Sequence, residues 1–198
     1  GDSVLDIINR AGGYTSLSYT EGAIFTREQV AKQQKEAFER SADSLENTMV
    51  NIVSSGTIEE IDEFTLTPIS QLVMKLREMK PIGRQVVDLD YLSLKTDPYA
   101  NFLVRGGDKI FIPRRPDSVV ITGEVLNPST LRYIPGTSYQ EYLGLAGGLN
   151  DQADRSRVFV ILPNGQAQLL QKRLFNNNNQ ILPGSTIVAS RDSRPFDA

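Results

Sequence analysis

The sequence contains no histidine, no cysteine and no tryptophan. Without histidine there is no Ser-His-Asp triad, no Cys-His pair and no imidazole general base. Without cysteine and histidine there is no zinc finger, structural zinc site or iron–sulfur cluster. Disulfides are impossible. Zero cysteine suits a reducing cytosol and equally a periplasm where stray thiols are a hazard, so it decides no compartment. No apolar run approaches the roughly 20 residues that a membrane span needs, and no signal peptide is visible. The 21 basic and 24 acidic side chains leave a net charge of −3, unlike the strongly basic footprint of a general nucleic-acid binder. The 198 residues are 39% hydrophobic and 23% charged, the composition of a globular chain of one large or two small domains. The opening stretch GDSVLDIINRAGG enters a helical pattern at once, as expected of a piece cut from a longer protein.

An internal repeat organises what is present. Residues 3–13 read SVLDIINRAGG and residues 138–148 read SYQEYLGLAGG. Each begins with a serine that can cap a helix and places apolar residues at helical spacing: Val4, Ile7, Ile8 and Ala11, then Tyr139, Tyr142, Leu143 and Ala146. Each ends in Ala-Gly-Gly, where a helix C-terminus needs positive φ at Gly12 and Gly147. At the same offset of 135 the β-rich stretches 23–26 and 158–161 align, and GGDKIFIP at 106–113 matches PGSTIVAS at 183–190. From Gly148 to Gly184 is 36 residues but from Gly13 to Gly107 is 94, so the first copy carries 58 more. In the second copy Pro163-Asn164-Gly165 reads as a hairpin turn between strands 157–162 and 166–171. Most of the extra residues fall at the equivalent place, about Glu28 to Gly83, and a hairpin tip tolerates insertion because closure entropy grows slowly with length.

The insert reads as helical. Phe38, Ala42, Leu45, Met49 and Ile52 recur at 4-3-4-3 spacing within 27–53, with Val30 leading in. Ile69, Leu72, Val73, Leu76 and Met79 make a second stripe, with Pro68 placed for a helix start and Pro81 for a stop. These stripes either pack on each other and on the host domain, or meet another subunit through Phe38, Leu45 and Met49. Upstream of the second copy, 119–125 and 131–134 read as a strand, a turn at Asn127-Pro128 and a return strand. The first copy has no such opening hairpin, which leaves a sheet edge to be covered by something else, including a strand exchanged with another chain. The expected class is α+β, with one helix across a mixed sheet in each unit. The expected units are 1–115, with the helical insert at about 28–83, and 116–198.

The stretch GEVLNPSTLRYIPGTSYQEYLGLAGGLNDQAD, followed by a hairpin and a Pro-Gly turn, resembles the SLBB domain, a soluble-ligand-binding β-grasp module. The first copy, with AGG, EGAIFTRE, PIGRQVVDL and GGDKIFIP, is similar to the SLBB repeats of bacterial capsule and exopolysaccharide export proteins, the Wza-like outer-membrane family. The resemblance implies tandem β-grasp-like domains in a periplasmic segment of an outer-membrane-associated export protein of a Gram-negative bacterium. It implies partners among the other export-complex subunits, the polysaccharide itself, and self-association of the full-length protein. It implies no cofactor or metal, no catalysis, no nucleic acid, and no membrane contact by this segment. The alternative within the same fold is a small soluble-ligand-binding domain, which requires a closed apolar pocket with a few convergent polar groups. The second copy departs from the first after the turn glycine, with Ser185 where the first has Asp108.

Candidate contact residues are few. Arg105, Lys109, Arg114 and Arg115 are the densest basic cluster, suited to an acidic polysaccharide or an anionic partner, or simply a solvated rim. Tyr14 and Tyr19 are expected as the exposed pair that stacks on sugars, whereas Tyr139 and Tyr142 read as core. A carboxylate-dependent glycosidase would need two facing acids. Asp88 and Asp90, read as neighbours on one face of a strand, and the cluster Glu59, Glu60, Asp62 and Glu63 are the available acids, each more simply a solvated surface or, for the cluster, a weak calcium site.

Overall fold

A computed structural model describes residues 1–54, 63–170 and 181–192, with backbone alone for 63–66. Helix α1 (Val4–Arg10) leads to strand β1 (Ile24–Thr26). Helices α2 (Glu28–Ser54) and α3 (Glu63–Glu78) follow, then strand β2 (Arg84–Gln85), helix α4 (Tyr91–Thr96) and strand β3 (Lys109–Phe111). The remainder is β4 (Ser118–Gly123), β5 (Ser129–Arg132), α5 (Tyr139–Leu145), β6 (Ala153–Ile161), β7 (Ala167–Leu170) and β8 (Thr186–Arg191). The class is mixed α+β. The chain forms two compact units that interleave along the sequence.

One unit comprises Gly1–Ile24, Val86–Val104 and Phe111–Ala198. Its sheet has the order β5-β4-β8-β6-β7, antiparallel except for the parallel pair β4–β8. The β-branched residues of β4 alternate, so Val119 and Ile121 point into the core while Val120 faces out. Ile121 sits opposite Ile187 across the parallel pair, both fully buried. Each such side chain contributes about 1.5–3 kcal/mol relative to exposure. Helix α5 lays Tyr139, Tyr142 and Leu143 on this face. The Tyr142 hydroxyl satisfies itself by accepting from the Ile134 amide at 2.8 Å, so the two helix tyrosines are core as expected.

Both short helices in this unit start alike. Ser3 Oγ accepts from the Asp6 amide while Asp6 accepts from the Ser3 amide, and Ser138 and Glu141 do the same. These capping boxes satisfy amides that a helix start leaves free. Both end in glycines of positive φ, Gly12 at 104° and Gly147 at 82°. The Gly13 amide then bonds Ile8 O at 2.8 Å, as the Gly148 amide bonds Leu143 O at 2.8 Å. Helix α4 was not expected. Asp90 caps it, accepting from the Leu92 and Ser93 amides, and Leu94 buries its face. Asp88 and Asp90 are therefore not neighbours on a strand: Asp88 lies in the irregular approach, and its carboxylate accepts from the Asp90 amide.

The other unit comprises Phe25–Gln85 and Arg105–Ile110. Its small sheet has the order β2-β1-β3, with Phe25 opposite Gln85 and Thr26 opposite Arg84. Helix α2 has 27 residues, a length of about 40 Å. It packs along α3. Ala42 and Val73 are buried, and Phe38, Leu45, Met49, Ile69 and Leu76 are half-buried, so the expected stripes face inward only in part. Leu72 and Met79 are exceptions, each 47% exposed. Arg77 reaches both Asp43 and Glu46 on α2, at 3.0 and 2.7 Å. Pro68 does not start α3 but lies inside it. A proline there cannot donate to the preceding turn. Gly83 has φ 70°, and a Cβ there would stand 2.1 Å from Arg27 O, so the close return of the chain to β1 requires glycine. Glu59, Glu60 and Asp62 lie outside the described residues, as does the side chain of Glu63. Among the described residues no helix is long and apolar enough to cross a membrane.

Candidate functional site

Two neighbouring features of the first unit carry the chemistry. The tight turn after α1 delivers Tyr14, whose hydroxyl donates to Leu89 O at 2.5 Å. The Tyr91 ring meets Tyr14 edge-on with centroids 6.1 Å apart, and Lys95 Nζ stands 4.4 Å from the Tyr91 centroid. Asn9, Thr15, Thr20 and Asp90 join the two rings around a cleft of about 550 Å3. A further cleft of about 410 Å3 has Glu21, Asp88, Asp90 and Asn164 on its walls. Burial, then the charges of Asp90 and Asp88, push the Tyr14 phenol up to about 12. The carboxylates here make an environment that disfavours anions.

The second feature is basic. Ser18 pairs with Arg114 in an antiparallel bridge, and the Tyr19 amide donates to Pro113 O at 2.9 Å. Arg114 and Arg115 thereby flank a groove of about 700 Å3 with Ser16, Leu17, Tyr133 and Pro183. The Arg115 guanidinium lies 5.8 Å from the Tyr133 ring centroid. Tyr19 is not the exposed stacking ring expected from the sequence. It is 4% exposed, and its hydroxyl donates to Pro183 O at 3.1 Å. Pro113 and Pro183 reach it from far along the chain, and Gly22 lets the chain fold close over the ring, with 2.8 Å from a hypothetical Gly22 Cβ to Tyr19 Cδ1. Burial, then the charge of Glu21, raises the Tyr19 phenol to about 12.

In the other unit Arg27 Nε and Nη2 donate to the two oxygens of Asp108 at 3.0 and 2.7 Å. The Arg105 amide donates to the same carboxylate at 2.8 Å. The Arg27 hydrogen bonds hold the Asp108 carboxyl below its usual range, and the same bonds raise the Arg27 guanidinium. This two-pronged pair fastens the turn before β3.

The four basic residues grouped by sequence belong to different units. Arg105 and Lys109 lie in the second unit, where Arg105 Nη1 donates to Gln29 at 2.7 Å, and Arg114 and Arg115 lie in the first. Nothing in the sequence pattern marks Ser16, Asn9 or Tyr91 as lining these features. They converge only through the fold. Arg114-Arg115 beside a return strand bearing Tyr133 is the one signal that was available.

Residues 118–168 match the SLBB domain family. Among the similar proteins, one is named for polysialic acid transport and another for polysaccharide export. The chain is 31% identical over 155 residues to the polysialic acid transport protein KpsD of Escherichia coli, covering 77% of this chain and 26% of that protein. It is 46% identical over 68 residues to the EPS I polysaccharide export outer membrane protein EpsA of Ralstonia nicotianae, covering 33% of this chain and 18% of that one. The uncharacterized protein YjbG of Escherichia coli is 27% identical over 120 residues, 60% of this chain and 49% of its own. The chain thus spans 26% of the length of the first of these relatives.

Proposed function

We propose that the chain is a non-catalytic periplasmic module of a capsule or exopolysaccharide export protein, made of two SLBB-like units at 1–115 and 116–198. Its work is assembly of the export complex and contact with the polymer. The observation that carries this reading is the agreement in detail between the halves. The capping boxes of α1 and α5 and their closing glycines recur at an offset of 135, as Ser3 to Ser138 and Gly13 to Gly148. The same offset takes the register pair Thr26–Arg84 to Ile161–Ala167 on its first strand, and Phe25–Gln85 to Val160–Gln168. Between the paired strands run 57 residues in the first half, 27–83, and five in the second, 162–166. The helices α2 and α3 thus stand where the second half has a plain hairpin tip, which supports reading 28–83 as an insertion.

Relatives named for polysialic acid transport and for polysaccharide export point the same way, as does the SLBB match. A small-ligand role would need a closed apolar pocket, whereas the clefts described here carry carboxylates and arginines on their walls. Tyr14, Arg105, Lys109, Arg114 and Arg115 are the residues assigned to polymer or partner contact, with Tyr19 supporting one wall from beneath. Phe38, Leu45 and Met49 on α2 are assigned to subunit contact through their half-exposed surface.

The test is made in the source bacterium with the full-length protein lacking residues 1–198. The expected result is polymer retained inside the cell with its sugar composition and chain length unchanged. Normal surface polymer would overturn the export role. Altered polymer chemistry would overturn the non-catalytic one.

A further inference from the structure

We propose that the groove between Ser16–Tyr19 and Arg114–Arg115 is a subsite for a carboxylate-bearing sugar unit of an acidic polysaccharide. The proposal rests on the export reading above and names the class of polymer that the site takes. Arg114 and Arg115 are both exposed, and among the described residues neither has a carboxylate within ion-pair distance. Some other exposed arginines do have one, as Arg10 does with Asp2 and Arg77 with two acids, while Arg132 and Arg155, like Arg114 and Arg115, do not among the described residues. A guanidinium fork matches a carboxylate through two parallel hydrogen bonds, which a sugar acid supplies and a neutral sugar does not.

The walls are set before any ligand arrives. Tyr19 is tied through its amide to Pro113 and through its hydroxyl to Pro183, and Ser18 is bridged to Arg114. Both sides of the groove are therefore fixed by backbone contacts, so less ordering cost falls on binding. Leu17, 53% exposed, offers apolar surface to the C–H face of a ring, while Ser16 and Tyr133 bring hydroxyls. Glu21 also lines the groove and subtracts one negative charge from the two positive ones. The balance stays positive, whereas the adjoining cleft carries Glu21, Asp88 and Asp90 and repels an acid. A volume of about 700 Å3 in a concave site suits a few saccharide rings rather than the flat face of a protein partner.

The test is an amide-shift titration of this chain with oligosialic acid, with oligogalacturonate, and with a maltooligosaccharide of similar ring count. The acidic probes are expected to give saturable shifts at residues 16–19, 114–115 and 133, weakening as salt is added. Each of Arg114→Gln and Arg115→Gln should weaken acidic binding by about tenfold or more. Both positions are exposed, and an otherwise unchanged amide spectrum confirms that the variants fold. Equal binding of the neutral probe, shifts centred elsewhere, or no shifts at millimolar acid would overturn the proposal. So would tighter binding of polyglutamate in the same groove, which would make it a docking site for an acidic protein. None of these outcomes touches the export role, which surface polymer in the deletion strain reads separately.

Discussion

On the proposed tandem reading, the pair Arg27–Asp108 is the place where the two halves use different chemistry for one position. The repeat offset that takes Gly107 to Gly184 takes Asp108 to Ser185, and the offset that takes Thr26 to Ile161 takes Arg27 to Leu162. Leu162 packs at the margin of the apolar cluster, and Ser185 is fully buried with its hydroxyl unpartnered among the described residues. Neither Leu162 nor Ser185 carries a charge. In the first half the Arg27 side chain is 16% exposed and Asp108 4%. An exposed pair would contribute roughly 0–1 kcal/mol. Removing one partner from a buried pair costs about 3–5 kcal/mol, because the other charge is left desolvated. The residual exposure of Arg27 places each single change, Asp108→Ser or Arg27→Leu, near the lower bound, about 3 kcal/mol.

The double variant Arg27→Leu with Asp108→Ser installs the chemistry of the other half. Replacing a buried pair by packed neutral groups is often neutral. The double variant should therefore cost about 1 kcal/mol or less, giving a coupling of about 3 kcal/mol or more in the cycle. Urea unfolding followed by far-ultraviolet circular dichroism and tyrosine fluorescence measures all four proteins, tryptophan being absent. Single variants costing under about 1 kcal/mol would refute the burial argument. A double variant as unstable as the two singles together would refute the equivalence of the positions.

Acid should loosen the fold through four carboxylates, one of them Asp154, held down by the Ser156 hydrogen bonds. Asp6 and Glu141, held down by the Ser3 and Ser138 hydrogen bonds, and Asp108, held down by Arg27, all have depressed folded values. Their stabilisation is present above the unfolded values of 3.8 and 4.5 and is lost as pH falls through the folded ones. The urea midpoint should drop between about pH 5 and about pH 2, and less steeply in the Arg27→Leu/Asp108→Ser variant; an equal slope would sink that assignment. Alkali acts on Tyr14 and Tyr19, raised to about 12. Stability from them is whole below about 10 and is lost as pH climbs through 12, and Tyr14→Phe or Tyr19→Phe should each remove one late phenolate step from the absorbance titration. Gly123 has φ 88°, and a Cβ would stand 2.1 Å from Ala189 O, so Gly123→Ala should cost about 3 kcal/mol or more in the same urea assay. A cost within error of zero would mean that β4 and β8 can part there.

The parts of the fold legible in the sequence were those dictated within one turn of chain. Ser3 and Ser138 cap because a hydroxyl three residues before an acid closes a box, and Gly12 and Gly147 stop helices because positive φ excludes most side chains. Tyr139 and Tyr142 were legible as core from helical spacing. One failure was a local cap hidden by strand-like alternation; the others came where distant segments decide. Asp88 and Asp90 alternate like strand residues, yet Asp90 caps α4, since its carboxylate finds two free amides ahead of it. Tyr19 follows a glycine-rich turn like an exposed loop residue, yet Pro113 and Pro183 close over it from positions far along the chain. The basic cluster read as one patch because four cations lie within 11 residues. Chain proximity does not place Arg105 and Arg114 in the same unit.

On the reading of 28–83 as an insertion, strand register explains why it leaves so little trace. Pairing of Thr26 with Arg84 is fixed by hydrogen bonds and by which side chains face inward, not by what joins the strands. Lengthening a flexible connection from five residues to 57 adds only about 2 kcal/mol of closure entropy. Even that is reduced when the added chain folds on itself, as α2 and α3 do through Val73, Ala42 and the Arg77 ion pairs. The cost that remains is geometric and falls at the point of return, where Gly83 passes so near Arg27 that no side chain fits. On the proposed reading, the insertion needs one glycine at its exit and a helical pair able to bury its own stripe. The half-exposed Phe38, Leu45 and Met49 are then the apolar surface that such a pair leaves over for a neighbouring subunit.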